Sequence, residues 1–152
     1  MSSIQILLVD DYKAWRHEIS RMLEARPEWH VVFEVSNGLE AVQKAEELKP
    51  DLILLDIGLP ELNGIEAARR MRRVSSRSRI IFVSQENSPE VVQEALSTGA
   101  QGYVYKARAQ SELLPAIDAV LRGGQFLTNM LKGFKITETS KANRSRRSIL
   151  VR

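Results

Sequence analysis

Three short stretches of this chain are almost wholly apolar, and each ends on a residue that is not. Residues 4–9 (Ile-Gln-Ile-Leu-Leu-Val) run into Asp10-Asp11, residues 52–55 (Leu-Ile-Leu-Leu) into Asp56, and residues 80–83 (Ile-Ile-Phe-Val) into Ser84. Strands that lack polar alternation are covered on both faces, which is the condition of a parallel sheet. Residues 31–35 (Val-Val-Phe-Glu-Val) and 102–105 (Gly-Tyr-Val-Tyr) are more mixed and read as edge strands, the second running into Lys106.

Helical periods separate these runs. Trp15, Ile19, Met22 and Leu23 form one stripe; Ala41, Val42, Ala45 and Leu48 a second; Ile65, Ala68 and Met71 a third. Val92, Ala95 and Leu96 make a fourth, and Leu113, Leu114, Ile117, Val120 and Leu121 a fifth. Ser88 followed by Pro89, and Ser111 before Glu112, predict helix starts. The order is a strand followed by a helix, five times over. It predicts an α/β fold, a five-stranded parallel sheet doubly wound with helices on both faces. In such a sheet ligands sit outside the carboxyl ends of the strands, at the point where strand order reverses. Asp10, Asp11, Asp56, Ser84 and Lys106 all belong to that end.

Charge is divided unevenly. Residues 1–127 hold 15 Lys/Arg against 18 Asp/Glu, whereas residues 128–152 hold seven basic residues against Glu138 alone. The basicity of the whole therefore comes from the last 25 residues and is no argument for a nucleic-acid-binding body. Residues 1–127 form the expected domain and 128–152 a basic tail or linker, too short and too polar for the packed helices of a DNA-binding unit. Absence of cysteine excludes disulfides and thiolate metal sites, and His17 and His30 have no ligand-like spacing. Met1-Ser2-Ser3 leads straight into the first apolar run, and no apolar run approaches the ~20 residues that span a bilayer, so neither a leader nor a membrane span is expected. The expected location is the cytoplasm.

Three carboxylates in one crevice repel unless a cation neutralises them. Mg²⁺ suits an all-oxygen set, with Asp11 and Asp56 as direct ligands, Asp10 acting through water, and a backbone carbonyl at Gly58. Asp56 is the expected nucleophile, since the loop after it (residues 57–64) leaves it open to solvent. Carboxylate attack on phosphorus gives an aspartyl phosphate, and Lys106 and Ser84 would neutralise charge on the transferred group.

The set resembles the receiver domain of bacterial two-component response regulators over residues 4–125. The carriers are Asp10-Asp11, Asp56 in Leu-Leu-Asp-Ile-Gly-Leu-Pro-Glu-Leu-Asn-Gly, Ser84, and Lys106 in Gly-Tyr-Val-Tyr-Lys-Ala. The resemblance implies a flavodoxin-like strand order 2-1-3-4-5, with phosphorylation of Asp56 by a histidine kinase or phosphotransfer protein. Any catalysis beyond the domain's own phosphorylation and dephosphorylation is not implied. Ser84 and Tyr103 would form the switch pair: the hydroxyl turns toward the phosphoryl group, the ring moves inward, and the face of the fourth helix, fifth strand and fifth helix is remodelled. That face, or the first and fifth helices, would mediate self-association. Trp15-Arg16 and residues 120–127 resemble the NarL/LuxR-type transcription-factor branch, whose DNA-binding domain is not in this sequence.

Two departures stand out. Ala107 follows Lys106 where many receivers have proline, and Gln85 follows Ser84 where a small residue is usual, so a bulky amide borders the approach to Asp56. An interaction module with a receiver fold but no phosphorylation is the competing reading. A phosphatase of the haloacid dehalogenase type needs a second acid two residues after its nucleophile, where this chain has Gly58. No Gly-x-Gly-x-x-Gly follows the first strand, which sets aside dinucleotide binding.

Overall fold

The first strand, β1 (Ile4–Val9), is paired on both sides, and its alternate residues face two different cores. Leu7 and Val9 join one cluster and Ile6 and Leu8 the other. The structure is a computed structural model and describes residues 3–128. After β1 come α1 (Lys13–Leu23), β2 (Trp29–Val35), α2 (Gly38–Leu48), β3 (Leu52–Leu55) and α3 (Gly64–Val74). The chain continues through β4 (Arg79–Ser84), α4 (Pro89–Leu96), β5 (Gly102–Tyr105), a 3-10 turn at Lys106–Arg108, α5 (Ala109–Leu121) and β6 (Phe126–Leu127).

All strand pairs are parallel, in the order β2-β1-β3-β4-β5-β6. Helices α2, α3 and α4 pack on one face, where Val92, Ala95, Met71 and Ala45 meet Leu7, Ile53, Leu55 and Phe82. Helices α1 and α5 pack on the other, with Ile19, Leu23, Leu113 and Ile117 against Ile6, Leu52, Leu54 and Val104. The apolar runs lack polar alternation because both faces are covered. Each buried Leu or Ile contributes about 1.5–3 kcal/mol, so the four residues of β3, at most 1% exposed, strongly fix its place in the middle of the sheet.

Five strands were expected and six are present among the described residues. Gly123, at φ +93°, lets the chain reverse after α5. Phe126 then donates its N–H to the Gln101 carbonyl at 3.1 Å, and Thr128 donates to that of Tyr103 at 2.8 Å. A two-residue strand carries too little apolar pattern to be read from sequence. It removes β5 from the edge, so the mixed composition of residues 102–105 does not mark an edge strand. β2 is an edge, and its pairing with β1 slips between Ile6 and Leu7, leaving Val32 out of the ladder.

Ser88 caps α4, its side chain accepting from the Val91 N–H at 3.4 Å, with Pro89 in the first turn as expected. Ser111 does not start α5, which begins at Ala109 directly from the 3-10 turn; the Ser111 hydroxyl donates instead to the Arg108 carbonyl. Apart from Thr128, the basic tail lies outside the described residues. No helix among the described residues is long and apolar enough to cross a membrane.

Candidate functional site

The sheet places β1 beside β3 although the chain visits β2 between them, so strand order reverses at this pair. Asp10 follows β1 and Asp56 follows β3 at the same edge. The backbone fixes both: Asp10 N–H donates to the Val35 carbonyl at 3.0 Å, and Asp56 N–H to that of Val9 at 3.1 Å. Their side chains are held as well. The Tyr12 N–H donates to Asp10 Oδ1 at 2.9 Å and the Ile57 N–H to Asp56 Oδ1 at 2.7 Å. Asp10, Asp11 and Asp56 each bring a carboxylate oxygen within 4.8 Å of the others.

Lys106 reaches into the group from the turn after β5. Its Nζ lies 2.7 Å from Asp10 Oδ2 and 3.3 Å from Asp56 Oδ2. One ammonium does not compensate three acids. Burial, above all, raises the pKa of Asp10 above its ordinary value, and the charge of Asp56 adds to the rise against the hydrogen bonds from Lys106 and the Tyr12 N–H. An all-oxygen donor set short of positive charge fits a hard divalent cation. Asp56, expected to be open to solvent, is 8% exposed, because Asp10, Lys106 and the following loop surround it; Asp11 is the exposed acid of the three.

The loop after Asp56 is tightly folded. Leu59 and Gly64 both donate to the Ile57 carbonyl, at 2.9 and 2.8 Å, and the Asn63 side chain caps α3 through the Glu66 N–H. Gly64 is required by close approach: a Cβ there would stand 1.9 Å from the Asp56 carbonyl oxygen. Gly58 is exposed and has open space around it.

Ser84 and Tyr103 meet at the backbone of one residue, Glu86. Ser84 Oγ accepts from the Glu86 N–H at 3.1 Å, and the Tyr103 hydroxyl donates to the Glu86 carbonyl at 2.6 Å. Tyr103 is fully buried and lies against Phe82, with ring centroids 6.1 Å apart. Burial raises the pKa of its hydroxyl well above the ordinary tyrosine value, the Ser84 hydroxyl opposing that shift. The ring is already in the inward position that the resemblance reserves for the switched state.

A groove of about 450 Å³ opens beside this cluster, lined by Tyr12, Trp15, Gln85, Tyr105, Lys106 and Ala107. Gln85 is exposed and borders it. Trp15 is both core and rim, half-buried against the α1–α5 cluster and facing the groove. Arg16, known from sequence only through the branch resemblance, donates to the Asp10 carbonyl at 2.6 Å and pairs with Glu34 at 3.0 Å, so it ties α1 and β2 to the acidic corner. Its signal was its place in the first turns of the helix after an acidic strand end. Of the four arginines of α3, Arg69 pairs with Glu66 and Glu94, and Arg70 with Glu66.

Residues 6–118, most of the chain, match the response regulator receiver domain. The chain belongs to that family. It is 36% identical over 140 residues to the nitrate/nitrite response regulator protein NarL of Escherichia coli (strain K12), an alignment covering 92% of this chain and 64% of that protein. It is 33% identical over 126 residues to the transcriptional regulatory protein DegU of Brevibacillus brevis, covering 83% and 53%. The chain thus spans less than two thirds of the length of these relatives. Among solved structures, a LuxR-family two-component response regulator from Aurantimonas sp. SI85-9A1 superposes with a TM-score of 0.80 at 32% identity, covering 95% of this chain and all of that one. The response regulator domain of Thermotoga maritima CheB gives 0.73 at 34% identity, covering 79% and 97%. This is a receiver domain of two-component signalling, and such domains are signalling modules rather than enzymes acting on other substrates.

Proposed function

We propose that Asp56 is the phosphoacceptor of a phosphorelay and that its phosphorylation switches the face formed by α4, β5 and α5. The observation that carries this reading is the convergence of Asp10, Asp11 and Asp56 with the Lys106 ammonium bridging two of them. A carboxylate oxygen of Asp56 attacks phosphorus on a phosphohistidine of a histidine kinase or phosphotransfer protein. The new O–P bond forms as the N–P bond breaks, and the imidazole leaves with the electron pair and takes a proton from water. Lys106 shifts from Asp56 to a phosphoryl oxygen. The Oγ of Ser84 accepts from the Glu86 N–H, which leaves its own proton free to donate to another. Because Tyr103 holds the carbonyl of that same residue, movement at Ser84 is passed to the loop before α4. Hydrolysis by water returns the carboxylate and releases inorganic phosphate.

Asp10, Asp11 and Asp56, with the backbone carbonyl of Gly58, would hold Mg²⁺. When bound it neutralises the acids and the equatorial phosphoryl oxygens. Residues 1–127 are assigned to this domain and 128–152 to a basic linker, with the cytoplasm as its location. Self-association would use α4–β5–α5 or α1 with α5. DNA binding is not assigned to this chain. The test is incubation with a small phosphoryl donor and Mg²⁺, read by intact mass. One phosphoryl group is gained, and it is lost in Asp56→Asn and after chelation; label persisting in Asp56→Asn overturns the assignment.

A further inference from the structure

We propose that Trp15 is a positioning residue that holds the ammonium of Lys106 over the acidic cluster; this rests on the phosphoacceptor reading of Asp56. Lysine carries its charge on a flexible four-carbon stem, and confining it costs side-chain entropy. Lys106 is nonetheless confined, its side chain 13% exposed at the foot of an open groove. Two carboxylates draw Nζ inward. Its remaining contact of note is the Trp15 ring, whose centroid lies 5.4 Å from Nζ. That separation is within the range of attraction between a cation and an aromatic face.

Trp15 is itself well anchored. Its backbone N–H donates to the Tyr12 carbonyl at 3.0 Å, and its ring packs against the cluster between α1 and α5. The following residue, Arg16, bonds the Asp10 carbonyl. One turn of α1 therefore fixes both the acid that pairs with Lys106 and the ring against which the ammonium rests. Phosphorylation changes the charge at Asp56, so the Lys106–Asp56 contact changes with signalling state. The attraction from Trp15 does not depend on that charge and persists through the transfer. Lys106 thus pivots between oxygens instead of swinging out along the groove.

The experiment uses the full 152-residue chain and the rate of Asp56 labelling by a small phosphoryl donor. Trp15→Leu keeps apolar bulk but removes the aromatic face, and lowers the rate about five-fold, the size expected for a partly desolvated cation–aromatic contact. Trp15→Phe restores the rate to within about two-fold. In a Lys106→Ala background, Trp15→Leu has no further effect. Independently of any variant, the ε-methylene protons of Lys106 in the wild-type protein show an upfield ring-current shift. A wild-type rate in a folded Trp15→Leu, an equal loss in the Lys106→Ala background, or no ring-current shift overturns the role of Trp15 alone. Failure of the wild-type protein to label at Asp56 overturns the phosphoacceptor reading, and the role of Trp15 with it.

Discussion

Lys106 makes its closest ion pair with Asp10, at 2.7 Å, and a longer one with Asp56, at 3.3 Å. The residue proposed to accept phosphate is therefore not the one that binds the ammonium most closely. Asp56 keeps one oxygen committed to the Ile57 N–H and the other in the looser contact. The lysine can move away from it without leaving the cluster.

From this arrangement Lys106→Ala should change two properties in opposite directions. Labelling of Asp56 slows on the order of 10²-fold, the usual cost of removing one charge-stabilising donor. Mg²⁺ affinity rises a few-fold, since a competing cation has left two of the carboxylates. Calorimetric titration and labelling rates measured on the same preparation check both; equal losses in both would contradict the competition.

Binding of Mg²⁺ should raise the midpoint of thermal unfolding, because the acids are gathered only in the folded state. Asp11→Ala removes the exposed member of the three and most of that rise, while leaving the metal-free midpoint little changed. Melting with and without the ion, followed by circular dichroism, measures it. An undiminished rise in Asp11→Ala would remove that residue from the ligand set.

Two glycines of one loop should respond differently to alanine. At Gly64 the new Cβ meets the Asp56 carbonyl oxygen at 1.9 Å, and the overpacking costs about 3 kcal/mol. At Gly58 nothing lies within 4 Å, so the change stays within about 0.5 kcal/mol. Urea unfolding of the two variants provides the comparison.

Asp118 of α5 forms two hydrogen bonds with Arg26, at 2.7 and 2.8 Å. The guanidinium holds the carboxyl below its ordinary value of 3.8. The folded state then binds fewer protons than the unfolded chain near that value. The pair's stabilisation is complete above it and disappears as pH falls through the lower folded-state value. With both side chains about one third exposed, the contribution is under about 1 kcal/mol. The gap between denaturation curves of wild type and Arg26→Ala should narrow as pH falls, leaving only the part due to the Arg26 contact with the Trp29 ring, 4.7 Å to its centroid.

The strands and helix faces were legible because each apolar residue of β1 and β3 reports directly on a covered face. The acidic cluster was legible because strand ends of a parallel sheet share an edge, so Asp10 and Asp56 meet without any knowledge of loops. Burial of Asp56 was not, since it comes from Lys106 and from a loop whose course depends on the close approach of Gly64. The link from Ser84 to Tyr103 runs through the Glu86 backbone N–H and carbonyl, which no side-chain pattern announces. Likewise β6 is held by backbone bonds to β5 rather than by an apolar run.

Thr128 is wholly buried, its N–H on the Tyr103 carbonyl and its hydroxyl on Glu112 of α5. The last described residue is thus moored to the strand that carries the inward tyrosine and to the helix behind it. A reporter fused after this point would leave from a rigid berth rather than a loose hinge. Its orientation would follow any shift of that strand, which makes this position a sensitive place to attach a probe of the switch.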